Sequence, residues 1–281
     1  MNTGHEMIRR FSRRHTINHW VVLLTFLGLV LTGLPQKFPD QQWAKGVVLI
    51  IGGVSRVRWV HHLLGTVMAL QLVWYALESI WVHYVRRLPM PMIPAKKDVD
   101  DFVQQVRFNL HVAPEPPRMG RYTFAEKIEF LALVWGTVLM VGTGLMLLYP
   151  VRWSSLVPGE AILAAKAAHG GEAILAFLSI LTWHVYFVHI RHWNKSIFNG
   201  HLDAESYAEE HDLELEKIRA GEVPTAAPVT VLRLAGFLVV SAATVAGVVF
   251  FYLWLRAGTT PPTRPSASVA ALIGMVKAWL V

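Results

Sequence analysis

Apolar residues gather into five runs along this chain, at about 16–34, 59–84, 128–149, 161–190 and 231–255, with polar stretches between them. A bilayer core of about 30 Å takes roughly 20 apolar residues in helical form, so each run predicts a membrane-spanning helix. The expected fold class is an all-α membrane protein: a four-helix transmembrane bundle from the first four runs, plus a fifth transmembrane helix. The basic "RRFSRRH" ahead of the first run resembles the front of a secretion signal. No small-residue cleavage site follows Pro35, however, and the run reads as a retained anchor.

The polar stretches divide the rest of the chain. "RRLPMPMIP" cannot continue a helix, whereas "DVDDFVQQVRFNLHV" sets Val99, Phe102, Val103, Val106 and Leu110 at helical spacing and predicts a short amphipathic helix on the cytoplasmic surface. Residues 1–202 read as the bundle unit and 203–230 as an acidic, solvated cytoplasmic linker ending in "GEVPTAAP". The fifth run, 231–255, carries small residues suited to helix packing and no chemistry. Residues 256–281 read as an outer tail, with an extended "TTPPTRPS" spacer before a short apolar helix at 267–281.

Composition sharpens this picture: 54% of residues are hydrophobic and only 16% charged, which no soluble core of this length requires. Lys and Arg concentrate on the cytoplasmic side of inner-membrane helices. Sixteen of the 26 lie in the N-terminal tail and the loops after the second and fourth runs, and a seventeenth, Arg233, at the near margin of the fifth run, which predicts a cytoplasmic N-terminus and a periplasmic C-terminus. That asymmetry and anionic lipid account for the net charge of +7 without nucleic acid. The absence of cysteine excludes cysteine-held iron–sulfur clusters, thioether-linked haem and disulfides on this chain.

Candidate chemistry lies in histidines within the apolar runs, where an ionisable residue is costly and by default functional. His19 falls in the first turn of the first helix and His61 in the first turn of the second, hence in opposite leaflets. His169 and His184 share the fourth run; fifteen residues rise about 22 Å and turn four revolutions plus about 60°, so both look from broadly the same face toward opposite leaflets. Depth therefore pairs His61 with His169 on the outer side and His19 with His184 on the cytoplasmic side. Facing imidazoles at two depths are what two bis-histidine b-type haems require. Gly65, one turn beyond His61, and Ala173, one turn beyond His169, leave space for a macrocycle, and Gly28, Gly33, Gly136, Gly142 and Gly144 offer more. Arg13, Arg14, Arg56, Arg58 and Arg152 lie at depths suited to haem propionates. His83 ranks second to His19 as a cytoplasmic ligand, His189 and His192 are expected to meet headgroups or a propionate, and His5, His111, His201 and His211 read as surface residues. A histidine-lined metal or proton transporter without haem stays open as the alternative. It predicts discontinuous helices or acidic mid-bilayer partners, for which Glu78 is the one carboxylate well within the second run. An intramembrane zinc protease is excluded by the lack of H-E-x-x-H.

"INHWVVLLTFLGLVLTGLP", "HHLLG", "GRYTFAEKIEFLALVWGTVLMVGTGLMLLYP" and "HGGEAILAFLSILTWHVYFVHIRHWNKSIFNG" together resemble the cytochrome b subunit of respiratory formate dehydrogenases, whose relatives serve hydrogenases and thiosulfate-type reductases. The likeness covers about residues 8–202. It implies that His19, His61, His169 and His184 are axial haem ligands in the pairs given by depth. It also implies a quinone, menaquinone or ubiquinone, near the cytoplasmic haem, where the family's Asn, Gly and Gln are replaced by Thr123, Ala125 and Glu126, with Lys127 adjacent. The implied partner is an outer-face iron–sulfur or multihaem cytochrome subunit, and the implied role is electron transfer between that partner and the quinone. Formate dehydrogenase members have four transmembrane helices where this chain has five, and its His169–His184 spacing is one residue longer.

Overall fold

The computed structural model describes residues 6–191 and 193–257. Five helices are long and apolar enough to cross a membrane: α1 (Arg13–Lys37), α3 (Val54–Val85), α5 (Phe124–Leu148), α7 (Gly159–Arg191) and α10 (Val231–Ala257). Each extends its predicted run by a few residues, because polar residues at the margins continue the helix toward the interface. No span has more than 11% of its apolar window buried within the chain, as expected where lipid, rather than protein, covers the outer faces.

Contacts of α1 with α3, α3 with α5, α5 with α7 and α7 with α1 close the first four spans into a ring. Glycine permits a close approach in that ring: a Cβ on Gly28 of α1 would lie 2.5 Å from Leu64 Cδ1 of α3. The ends of α3 and α7 are wound as π-helix, over Trp81–Val85 and Ile180–Arg191. The fifth span, α10, lies outside the ring. Near its start Phe237 packs edge-on against Trp81, and Arg233 donates to the Val85 carbonyl at 2.6 Å. At its far end Trp254 meets Trp153, with the Arg152 guanidinium 4.2 Å from the Trp254 ring centre.

Five shorter helices lie among the described residues. The predicted amphipathic helix is present as α4 (Lys96–Asn109), with Val99, Val103 and Leu110 exposed. An unpredicted apolar helix, α2 (Gln42–Ile51), follows α1 and turns into α3 through Gly52 and Gly53, whose φ of 100° and 102° glycine adopts without strain. α6 (Pro150–Ser154) and α8 (Ser196–Asn199) are single turns.

The segment expected to be a solvated linker is folded instead. Strand β1 (Met7–Arg9) pairs antiparallel with β2 (His201–Asp203), Ile8 opposite Leu202, and helix α9 (Ala204–Arg219) packs Tyr207, His211 and Leu215 against them. Ile8, Leu202, Tyr207 and Leu215 form a small core. Acidic residues that suggested a linker instead pair α9 with distant cations, Glu214 with Arg121 and Asp212 and Glu216 with Arg118, and its apolar positions were too few to reveal a core shared with a strand almost 200 residues earlier. The predicted helix at 267–281, together with His5 and His192, lies outside the described residues.

Candidate functional site

The ring brings the four histidines together as the depths predicted. His19 of α1 faces His184 of α7 at the end of the bundle where α1 begins, and His61 of α3 faces His169 of α7 at the opposite end. In both pairs the ring centres are 6.3 Å apart. Their planes meet at 30° in the first pair and 71° in the second. A metal ion bound by one nitrogen from each side, with bonds of about 2 Å and about 1 Å more to each ring centre, requires a separation of about 6 Å. The separations thus fit a metal held between the imidazoles at each end, and the cavity lined by His61 and His169 has room for a planar macrocycle around it. His184 falls within the π-helical winding of Ile180–Arg191, whose hydrogen bonds run i→i+5, and both His169 and His184 face their partners inside the ring.

The second nitrogen of each ring has its own environment. His61 Nδ1 lies 2.9 Å from Thr32 Oγ1, and His169 Nδ1 lies 2.9 Å from Thr143 Oγ1. Each hydroxyl already donates its one proton to a carbonyl four residues back, Gly28 at 2.7 Å and Leu139 at 2.6 Å, so the imidazole N–H is the donor. Nε2 is thereby left as the lone-pair nitrogen. The adjoining Gly33 and Gly144 make room for the rings: a Cβ there would stand 3.0 Å from His61 Cε1 and 3.2 Å from His169 Cε1. At the other end His184 Nδ1 donates to Glu129 Oε1 at 2.7 Å, while His19 Nδ1 is buried with no hydrogen-bond partner. Beside it, Asn18 donates to Glu78 at 2.9 Å and Gln71 donates to the Asn18 carbonyl at 2.8 Å. Glu78 is therefore a satisfied structural carboxylate. Thr32, Thr143 and Glu129 were missed in the sequence. The only signal was the repeated Thr-Gly at 32–33 and 143–144, which has no meaning until each faces a histidine.

A cavity of about 2310 Å³ runs along the bundle. His61, His169, Gly65 and Ala173 line it toward one end, Phe124, Ala125 and Glu129 toward the other, and Phe251 and Leu255 of α10 add to its wall. Gly65 opens onto this space, its nearest neighbour being Leu29 at 4.0 Å. Gly136 instead accommodates Glu172, whose Oε1 would be 2.6 Å from a Cβ. The cations at the cavity are Lys37, Lys45, Arg58 and Lys166. Of the predicted arginines only Arg58 is among them: Arg13, Arg14 and Arg56 are exposed, and Arg152 stacks on Trp254.

Of the three residues expected at a quinone, Ala125 lines the cavity while Thr123 and Glu126 are engaged in holding the start of α5. Thr123 Oγ1 accepts from the Glu126 N–H at 3.1 Å and Glu126 Oε2 accepts from the Thr123 N–H at 2.8 Å, a reciprocal cap. The other Glu126 oxygen accepts from Arg10 Nη2 at 2.6 Å. Lys127 pairs with Asp98 of α4 at 2.7 Å. Burial raises the Asp98 carboxyl, but the hydrogen bonds from Lys127 and the Ala95 N–H outweigh it and hold the group below its ordinary value. Among the remaining histidines, His83 Nδ1 donates to the Leu88 carbonyl at 2.8 Å and has no place in either pair. His189 stacks on Phe198, which also meets His19 edge-on. His211, expected at the surface, is fully buried and donates to the Gly120 carbonyl at 2.8 Å. Burial, then the Arg10 guanidinium, hold it neutral, with a pKa lowered from 6.5 to about 4.

An all-α membrane bundle with two such histidine pairs defines a membrane cytochrome b. The chain belongs to the prokaryotic cytochrome b561 family, whose model matches residues 10–200, and b-type haem is the cofactor that membership implies. It is similar to the formate dehydrogenase cytochrome b556 subunit of Haemophilus influenzae, with 25% identity over 66% of this chain and 70% of that one. It is also similar to two Escherichia coli proteins. The nitrate-inducible formate dehydrogenase cytochrome b556(Fdn) subunit is 23% identical over 72% of this chain and 88% of that one. The formate dehydrogenase cytochrome b556(fdo) subunit is 24% identical over 64% and 78%. Family membership displaces the transporter alternative, and among the described residues no group of three or more His, Asp or Glu is placed to hold a bare metal ion. The family match ends before α9 and α10.

Proposed function

We propose that this chain is the membrane-anchoring di-haem cytochrome b subunit of a respiratory oxidoreductase complex, with His61 and His169 holding one b haem and His19 and His184 the other. The observation that carries the reading is the 6.3 Å separation found in both histidine pairs, at opposite ends of one helical ring. Bound there, two haems supply a one-electron relay across the bilayer between an outer-face redox partner and a quinone. The chain's own residues orient the imidazoles, leave Nε2 free toward the iron and exclude water with lipid-facing spans. Residues 1–202 form the haem-bearing unit, and α10 is an addition to it.

The Lys and Arg distribution supports an inner-membrane orientation with the N-terminus cytoplasmic and α10 ending in the periplasm. The quinone site lies at the cytoplasmic end of the cavity, with Phe124 and Ala125 in its wall and Thr123 and Glu126 fixing that wall in place. The outer partner is an iron–sulfur or multihaem cytochrome subunit, in keeping with the formate dehydrogenase names of the similar proteins. A reduced-minus-oxidised spectrum of the purified protein, with a haem-to-protein ratio, tests the assignment. Two b haems per chain are expected, falling to one in His61→Ala and to one in His184→Ala; a wild-type chain without haem, or variants that keep both, overturn it.

A further inference from the structure

The two histidine pairs differ in what holds the ring nitrogen that points away from the partner imidazole. At His61 and His169 the same device occurs twice: a Thr-Gly pair on the neighbouring helix, the hydroxyl accepting from Nδ1 at 2.9 Å and the glycine facing Cε1. Each hydroxyl is uncharged and has spent its proton on its own helix, so it fixes the imidazole without placing charge beside it. At the other pair the acceptor for His184 is the Glu129 carboxylate at 2.7 Å, and His19 has none. Glu129 sits fourteen residues before Thr143 in α5, and Asn18 fourteen before Thr32 in α1, so the two helices carry a polar residue at matching registers. Asn18 turns to Glu78 of α3, whereas Glu129 turns to the histidine itself. Among the described residues, the one charged acceptor bound to any of the four imidazoles is therefore Glu129.

We infer that Glu129 is a positioning residue that lowers the reduction potential of the His19/His184 haem relative to the Thr-held His61/His169 haem, so that this chain itself makes its two haems electrically unlike. The inference rests on the haem assignment proposed above. A carboxylate accepting from an imidazole N–H draws that proton toward itself, makes the other nitrogen a stronger donor to a metal and adds a negative charge nearby. Both effects favour the more positive, oxidised iron. No cation pairs with Glu129 among the described contacts; Lys127, two residues before it, is bound to Asp98 on α4. A threonine hydroxyl orients the ring in the same way but makes a weaker acceptor and adds no net charge.

The test is a potentiometric titration of the α-band absorbance of the full-length protein, purified with whatever subunits accompany it. Wild type is expected to show two midpoints. Glu129→Gln keeps the size and an acceptor oxygen but removes the charge, and it is expected to raise one midpoint by at least tenfold in the reduction equilibrium, about 59 mV for one electron, while the other stays fixed. Glu129→Asp, which keeps the charge, is expected to return that midpoint toward wild type. Thr32→Val with Thr143→Val is expected to move only the other midpoint, and by less. Two haems present with both midpoints unmoved in Glu129→Gln overturn the inference and leave the haem assignment standing. A wild-type chain that lacks two haems overturns the assignment instead. If Glu129→Gln fails to retain haem, Glu129→Asp and the threonine pair decide: equal shifts of both midpoints in either overturn the inference.

Discussion

At the scale of single residues, the site depends on groups too small to attract notice in a sequence. Gly144 lies against the His169 ring, with 3.2 Å between an added Cβ and Cε1, whereas Gly142, two positions earlier in the same helix, has nothing within 4 Å. Substitution of each by valine gives a matched comparison. Gly144→Val is expected to displace the imidazole and release the haem of that pair, and Gly142→Val to retain two haems per chain, as read by pyridine haemochrome content. Gly33→Val is expected to repeat the loss through His61, since its Cβ would stand 3.0 Å from that ring. Equal haem content in Gly142→Val and Gly144→Val would remove the proposed cradle.

At the scale of elements, the start of α5 and the cap of β1, β2 and α9 are held by buried polar pairs, whose loss is costlier than their presence is stabilising. The Arg10 side chain is 3% exposed and is neutralised by Glu126. Glu126→Ala leaves Arg10 with only the more distant Glu210 carboxylate, 3.9 Å from Nη1, an expected cost of about 2–3 kcal/mol, whereas Thr123→Ala removes only a cap, at about 1 kcal/mol. Proteolysis of the cap under native conditions ranks the two, and similar rates would count against a buried Arg10–Glu126 pair. His211 adds a pH dependence. Its pKa in the fold is about 4 against an ordinary 6.5, so between those values the unfolded cap binds a proton that the folded cap does not. Stability is then complete above about pH 6.5 and falls as pH drops toward 4, by about 3 kcal/mol in all. Amide exchange in α9 measured at pH 7 and pH 5, after correction for intrinsic rates, is expected to show this loss in wild type and to show less of it in His211→Gln.

At the scale of the whole molecule, α10 is docked at its two ends and otherwise faces outward. Its first turns hold α3 through Arg233 and Phe237, and its last turns hold the α5–α7 connection through Trp254. The four-span ring closes without it. A chain ended after residue 228 is therefore expected to keep two haems and to unfold at a lower temperature, since it removes the part of the cavity wall formed by Phe251 and Leu255. Loss of haem on this truncation, with the protein still folded, would show that α10 belongs to the haem-bearing unit.

The sequence by itself determined the spans and the pairing of the histidines. In a bilayer, length and apolarity set where a helix begins and ends, and alternating direction converts sequence position into depth, so His19, His61, His169 and His184 sort into two levels without any knowledge of packing. Only the tertiary structure decided what surrounds them. Thr32, Thr143 and Glu129 gain meaning from the helix each one faces, the end of α7 is wound as π-helix around His184, and a segment read as a solvated linker folds because strand β1 supplies the other half of its core. Contacts between distant segments are set by which faces meet, and no local pattern records that.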